Sequence, residues 1–181
     1  MISLKAYIAS SLDGFIAKKD GSVDWLHAEK YYLENEDFGY ASFMELIDCI
    51  VMGRITFETV LQFEPYPFEN VPVIVVSNNP NYQIESKHDI SIFTRPIREL
   101  FSHLKSKAYQ NVYVDGGKLI QSFLKESLLD EITITQIPIL LGSGIPLFGV
   151  TDRMIELKHR KTQTFPNGFV QNEYEIVKNR M

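Results

Sequence analysis

The chain has 181 residues, 45% hydrophobic and 12% aromatic, enough for one domain with a large core. A net charge of −5 and a pI near 5.4 argue against nucleic acid or an anionic membrane as a general partner. No apolar run approaches the roughly 20 residues of a membrane span and the first residues carry no signal-peptide pattern, so a cytoplasmic protein is expected.

Residues 2–10 read as a strand. Asp13-Gly14 and Asp20-Gly21 are turn signals, so 11–24 is expected to be a long loop. A helix is predicted over 28–47, patterned by Tyr40, Phe43, Met44 and Ile47 and weakened in its first half by Gly39. Residues 49–53 form a short buried strand and 54–62 a helix. Cys49, the only cysteine, lies in this apolar run and reads as an inert core thiol. Residues 72–77 are apolar without alternation, as in a strand covered on both faces. Another strand is expected at 90–94. Pro96 then opens a helix with Ile97, Leu100, Phe101 and Leu104 on one stripe. Residues 111–115 read as a strand and 117–127 as a helix with Leu119, Ile120, Phe123 and Leu124 inward. A long strand is expected at 130–141. Two alternating runs, 154–165 and 169–177, flank Pro166-Asn167-Gly168, a strong hairpin signal. The proline-rich and asparagine-rich stretches at 65–67 and 78–81 are loops inside a single domain, 1–181. The class is α/β, with a mixed central sheet, helices on both faces and an antiparallel C-terminal edge.

Two junctions carry the chemistry, Gly53-Arg54-Ile55-Thr56 and Val112-Tyr113-Val114-Asp115-Gly116-Gly117-Lys118. Each is an apolar strand that stops at glycine and turns into a helix, so backbone and first-turn N–H groups can approach an anion. Two such junctions, one with Arg and Thr and one with Lys, suggest a ligand with several phosphates, such as a dinucleotide. Neither G-x-G-x-x-G nor the P-loop pattern is present. The four histidines, His27, His88, His103 and His159, are scattered without ligand spacing, so no metal site is expected. Taken singly, Arg54 could begin a solvated helix, Gly116-Gly117 could be only a tight turn, and Asp13-Gly14 reads as turn chemistry alone.

The ordered set 7–17, Asp20-Gly21-Ser22-Val23-Asp24-Trp25, Val51-Met52-Gly53-Arg54, Val76-Ser77-Asn78, Asp115-Gly116-Gly117 and 139–148 resembles the reductase domain of the riboflavin-synthesis deaminase-reductase. It is most similar to stand-alone, single-domain members. The resemblance implies a dihydrofolate reductase-like three-layer αβα fold, NADPH as cofactor, a small-molecule substrate and a homodimer. Arg54 would then pair with the 2′-phosphate or pyrophosphate, and Thr56, beside Gly53, with the pyrophosphate. Val76, Ser77 and Asn78 would lie at the adenosine end. Gly116 and Gly117, with a cis peptide between them, would let the coenzyme pass, and Lys118 and Leu119 would open the helix beneath the pyrophosphate. Ala9 and Ile16 would line the nicotinamide. Asp115 matches the acid that precedes the glycine pair and is the candidate substrate contact or proton relay; Glu29 is a second candidate acid. The apolar run 132–141 with Phe165, Phe169 and Tyr174 could supply a dimer face or fill the core. Two departures stand out: Tyr7 replaces a first-strand lysine, and the Arg- and Asp-bearing stretch that helps hold a ribose phosphate is missing. An NADPH-dependent reductase of a heterocyclic or carbonyl compound is therefore expected, beside two alternatives, a true dihydrofolate reductase and a non-catalytic dinucleotide-binding protein.

Overall fold

The computed structural model describes residues 2–178. In chain order its strands are β1 (Ser3–Ser11), β2 (Phe15–Ala17), β3 (Cys49–Gly53), β4 (Val73–Val76), β5 (Ile90–Phe93), β6 (Asn111–Asp115), β7 (Glu131–Ile137), β8 (Ile145–Pro146), β9 (Leu157–Thr164) and β10 (Val170–Ile176). The helices are α1 (Tyr40–Met44), α2 (Arg54–Val60), α3 (Ile97–Ser106) and α4 (Gly117–Lys125). Eight strands form one sheet in the order β5-β4-β3-β6-β1-β7-β10-β9, and β2 pairs with β8 apart from it. The six strands β5 to β7 of that order are parallel, and β10 and β9 are antiparallel. This is the expected αβα class.

Two layers of side chains explain the sandwich. Alternate residues of the central strands, among them Leu4, Ala6, Val51, Val112, Val114 and Ile132, pack with Leu100 and Leu104 of α3 and Leu119, Ile120 and Phe123 of α4. The residues between them, Ile50, Met52, Val73, Val75 and Tyr113, pack with Phe57 and Val60 of α2 and with Tyr40 and Phe43 of α1. The strands are apolar without alternation because both faces are covered. A third, aromatic cluster joins Trp25, Tyr31, Phe165 and Phe169 to Ile137 and Ala9.

Several expectations change. The helix predicted at 28–47 exists only as α1, preceded by two 3-10 turns, Asp24–His27 and Glu29–Tyr31. Gly39 has φ +86° and Phe38 φ +60°, conformations an α-helix cannot contain, and Asp37 accepts the Gly39 and Ala41 N–H groups to cap a fresh start. The loop 11–24 contains β2. The strand expected to reach residue 141 ends at Ile137. Of the run weighed as a dimer face or core, Ile132, Ile134, Ile137, Phe165 and Phe169 are buried within this chain, whereas Leu140 is exposed and Tyr174 half-buried. The hairpin is as read, with Gly168 at φ +86° and Asn167 accepting the Phe169 N–H at 3.2 Å. Cys49 is buried, and desolvation pushes its thiol up to about 12, so it remains protonated in the core. Among the described residues no helix is long and apolar enough to cross a membrane, and no cluster of His, Cys, Asp or Glu could hold a metal ion.

Candidate active site

Adjacent parallel strands β3 and β6 send their chains in opposite directions. From β3 the chain passes through α2 to β4 on one side; from β6 it passes through α4 and over β1 to β7 on the other. At such a reversal the helices leave on opposite faces and a crevice opens beyond the strand ends. Both glycine junctions lie here, because Met52 is paired with Asp115 and so sets Gly53 beside Gly116.

The crevice extends into a split in the sheet. Strand β1 pairs with β6 only from Ser3 to Lys5, then continues paired with β7 alone as far as Ser11. The β1 edge from Ala6 onward faces β6 without a ladder. Tyr113 bridges the start of the split, its hydroxyl donating to the Tyr7 carbonyl at 3.0 Å. Asp115, two residues on and on the same face as Tyr113, borders the opening.

Gly116 and Gly117 form its floor. Gly116 has φ +98°, and a Cβ there would stand 2.5 Å from the Thr56 hydroxyl oxygen. Only glycine allows this approach of α2 to the β6–α4 turn. A Cβ on Gly117 would meet the Ile16 Cδ1 at 2.3 Å. Ile16 therefore covers the glycine pair from β2, which β8 holds in place. The Gly116–Gly117 peptide is trans, against expectation; among the described residues the cis bond is Glu64–Pro65.

Asp115 is half-buried. Desolvation pushes its carboxyl up to about 6, while the Tyr113 hydroxyl and the Gly116 amide pull it down. It faces an aromatic wall in which the Tyr7, Tyr40, Phe43 and Tyr113 rings pack at centroid distances of 4.9–6.5 Å. Burial, and after it the Asp115 charge, raises Tyr40 and Tyr113 well above the ordinary phenol value, so both are hydroxyl donors at neutral pH. Behind them the two N–H groups of Gln171 Nε2 are shared among the Tyr7 hydroxyl at 2.8 Å, Thr135 Oγ1 at 2.9 Å and the Phe38 carbonyl at 3.0 Å.

The other expected residues divide. Ala9 lies on the open stretch of β1 and packs on the aromatic cluster. Gly53 is paired with Val76, which puts Arg54 beside buried Ser77 and exposed Asn78. The Ser77 hydroxyl accepts the Asn79 N–H at 3.1 Å and keeps its own proton to donate. Arg54 is not free: its Nη1 contacts both Glu58 carboxylate oxygens at 2.9 Å. Lys118 is exposed on the first turn of α4. Leu119 does not reach the crevice; its side chain is in the core and its N–H is bonded to the Gly116 carbonyl at 3.0 Å. Glu29 is exposed on its 3-10 turn, whose inward residue is Tyr31 against Phe169. Two surface depressions of about 280 and 270 Å³ lie elsewhere, the first against Phe93, His103 and Lys107 and the second against Arg98, Asp152 and Arg153. Neither is lined by Asp115.

Asp13 has a role that turn chemistry alone does not cover. Its carboxylate accepts the Ser11 hydroxyl at 2.6 Å and the N–H groups of Leu141 and Gly142 at 3.1 and 2.8 Å. These bonds hold its pKa below the usual carboxylate value and clamp the segment entering β8 onto the end of β1. Gly144 completes the clamp, since a Cβ there would stand 2.2 Å from the Ala17 carbonyl oxygen. The sequential signal was a serine two residues before the aspartate; its distant partners, about 128 residues on, had none.

The family model described as the RibD C-terminal domain matches residues 3–171. The uncharacterised proteins YwjB and YyaP of Bacillus subtilis (strain 168) are similar. YwjB is 38% identical, with 88% of this chain and 90% of that protein covered; YyaP is 32% identical, with 92% and 91% covered. The crystal structure of a Shewanella sp. PV-4 protein assigned to riboflavin biosynthesis superposes with a TM-score of 0.90 at 36% identity, covering 98% of this chain and all of the other. Dihydrofolate reductase from Enterococcus faecalis, complexed with NADP(H), shares the fold at TM-score 0.67 and 20% identity, with 97% of each chain covered. By its sequence over residues 3–171, the chain belongs to the RibD C-terminal domain family.

Proposed function

We propose that this protein is an NADPH-dependent reductase of a small heterocyclic or carbonyl compound. The observation that carries the reading is the split between β1 and β6, floored by Gly116-Gly117 and bordered by Asp115. The residues fit a dinucleotide. The glycine pair leaves a cradle bordered by the Thr56 hydroxyl and the Ile16 side-chain tip, and the amides of Gly117 and Lys118 at the start of α4 suit a pyrophosphate. Arg54 and Thr56 follow the end of β3, next to β6, and Thr56, against the Gly116 turn, suits the pyrophosphate. Ser77 and Asn78 follow the end of β4, about two strand spacings, or ~10 Å, from the Asp115 end, and with Arg54 suit the adenosine half. NADPH, when bound, supplies the hydride.

The chain's own residues do the rest. The open edge of β1 at Ala9 offers backbone groups that can orient a ring in the split. Ile16 excludes water above the glycine pair. Asp115 holds a proton close to neutral pH, where a general acid is effective, and stands where a substrate atom would meet it. Tyr40 and Tyr113 remain protonated beside it and limit the charge the site accepts. Glu29, exposed on its turn, leaves Asp115 as the acid of the crevice.

Titration with NADPH and NADH, followed by fluorescence of Trp25, tests the reading. Trp25 is the only tryptophan and packs in the cluster that contacts Ala9. Saturable quenching, with NADPH oxidation on a panel of pterins, pyrimidines and quinones, is expected. Unchanged fluorescence and unchanged thermal midpoint with either coenzyme would overturn it.

A further inference from the structure

The coenzyme reading leaves one charge unaccounted for at the adenosine end. Arg54 heads α2, and Glu58, one turn on, holds its Nη1 with both oxygens at 2.9 Å. The pair is accessible, with the two side chains 42% and 43% exposed. Tyr82, from the loop after β4, lies against the guanidinium, its ring centroid 5.8 Å from the Arg54 Cζ. Burial raises the Tyr82 pKa, and its hydroxyl lies beside the Glu58 carboxylate. Arg54 is thus held between a carboxylate and an aromatic face, next to Ser77.

Resting on the coenzyme reading, we infer that Glu58 is a specificity-determining residue that weakens the preference for a 2′-phosphorylated over a 2′-hydroxyl dinucleotide. The physics has two opposed parts. A phosphate monoester reaching Arg54 must displace a carboxylate already bonded to it and then stand beside that like charge. A 2′-hydroxyl brings no charge and can donate to the same carboxylate. One residue therefore penalises one coenzyme and assists the other. Because the pair is exposed, screening keeps the penalty modest.

The test is Kd for NADPH and for NADH, read by Trp25 fluorescence in the wild type and in Glu58→Gln, which keeps size and helix position. NADPH is expected to bind about three- to tenfold more tightly to the variant, with NADH unchanged or about twofold weaker. Equal factors for both coenzymes, or no change in either, would overturn the inference while leaving the coenzyme reading intact. Wild-type protein that binds neither coenzyme would instead remove the coenzyme reading, and this inference with it. Tyr82→Phe supplies an independent measurement: loss of its hydroxyl should leave the Glu58→Gln selectivity shift within twofold, and abolition of that shift would overturn Glu58 as the determinant.

Discussion

Burying Asp115 costs the native state free energy, since its carboxyl titrates at about 6 instead of near 3.8. The sign follows from proton binding. Between those two values the folded state holds more protons than the unfolded chain, so stability falls as pH rises through that window. Above pH 6 the cost is constant, on the order of 2–3 kcal/mol. Asp115→Asn should therefore be more stable than wild type at pH 8 by about 2 kcal/mol, with the difference gone below pH 4, as urea unfolding at both pH values would report. The same variant should lose about a hundredfold in kcat, because the proton near the substrate is gone. A variant that loses stability at pH 8 would mean that the carboxylate is a structural partner. Wild-type kcat should also decline as pH rises through about 6. Gly116 and Gly117 separate two costs. Gly116→Ala meets the Thr56 hydroxyl at 2.5 Å with φ at +98°, so a loss of about 1–3 kcal/mol is expected in thermal unfolding. Gly117→Ala meets only the tip of Ile16, so its fold should survive while coenzyme binding weakens at least tenfold.

At the scale of elements, the β2–β8 arm and its clamp matter most. Asp13 ties the Leu141 and Gly142 amides to the end of β1, and β8 in turn holds Ile16 over the glycine pair. Asp13→Ala should speed hydrogen exchange at those two amides by an order of magnitude and loosen coenzyme binding, with little effect on exchange in β3 or β6. Uniform acceleration across the sheet would show that Asp13 supports global stability instead. The arm could not be read from the sequence. Phe15–Ala17 is too short to show periodicity, and its partner Ile145–Pro146 is two residues long and 128 positions away. The first helix failed for a local reason. Tyr40, Phe43 and Met44 do share a face, but Phe38 and Gly39 adopt positive φ and break everything before them. The glycine junctions were legible because a strand that ends in glycine and enters a helix is a local pattern, whereas the Arg54–Glu58 pair was present at i, i+4 and its meaning depended on what lay opposite.

At the scale of the whole molecule, a ligand that bridges β1, β6, β3 and β4 joins strands from both halves of the sheet and should stabilise it as a unit. At NADPH one hundred times its Kd the gain is about 2.7 kcal/mol, a rise of roughly 5–10 °C in Tm for a domain of this size. Differential scanning calorimetry should show one transition moving as a whole; a shift confined to part of a split transition would mean that the halves unfold separately. The sequence by itself determined the α/β class, the identity of most strands, the Asn167-Gly168 hairpin and the two glycine turns, because each is written in residues that are close along the chain. Tertiary structure alone decided that β1 parts from β6 after Lys5, that Asp115 is desolvated among tyrosines, that Ile16 covers Gly117 and that Phe165 and Phe169 are interior. Each of these joins residues far apart in sequence, and packing, register and burial exist only once the sheet has assembled.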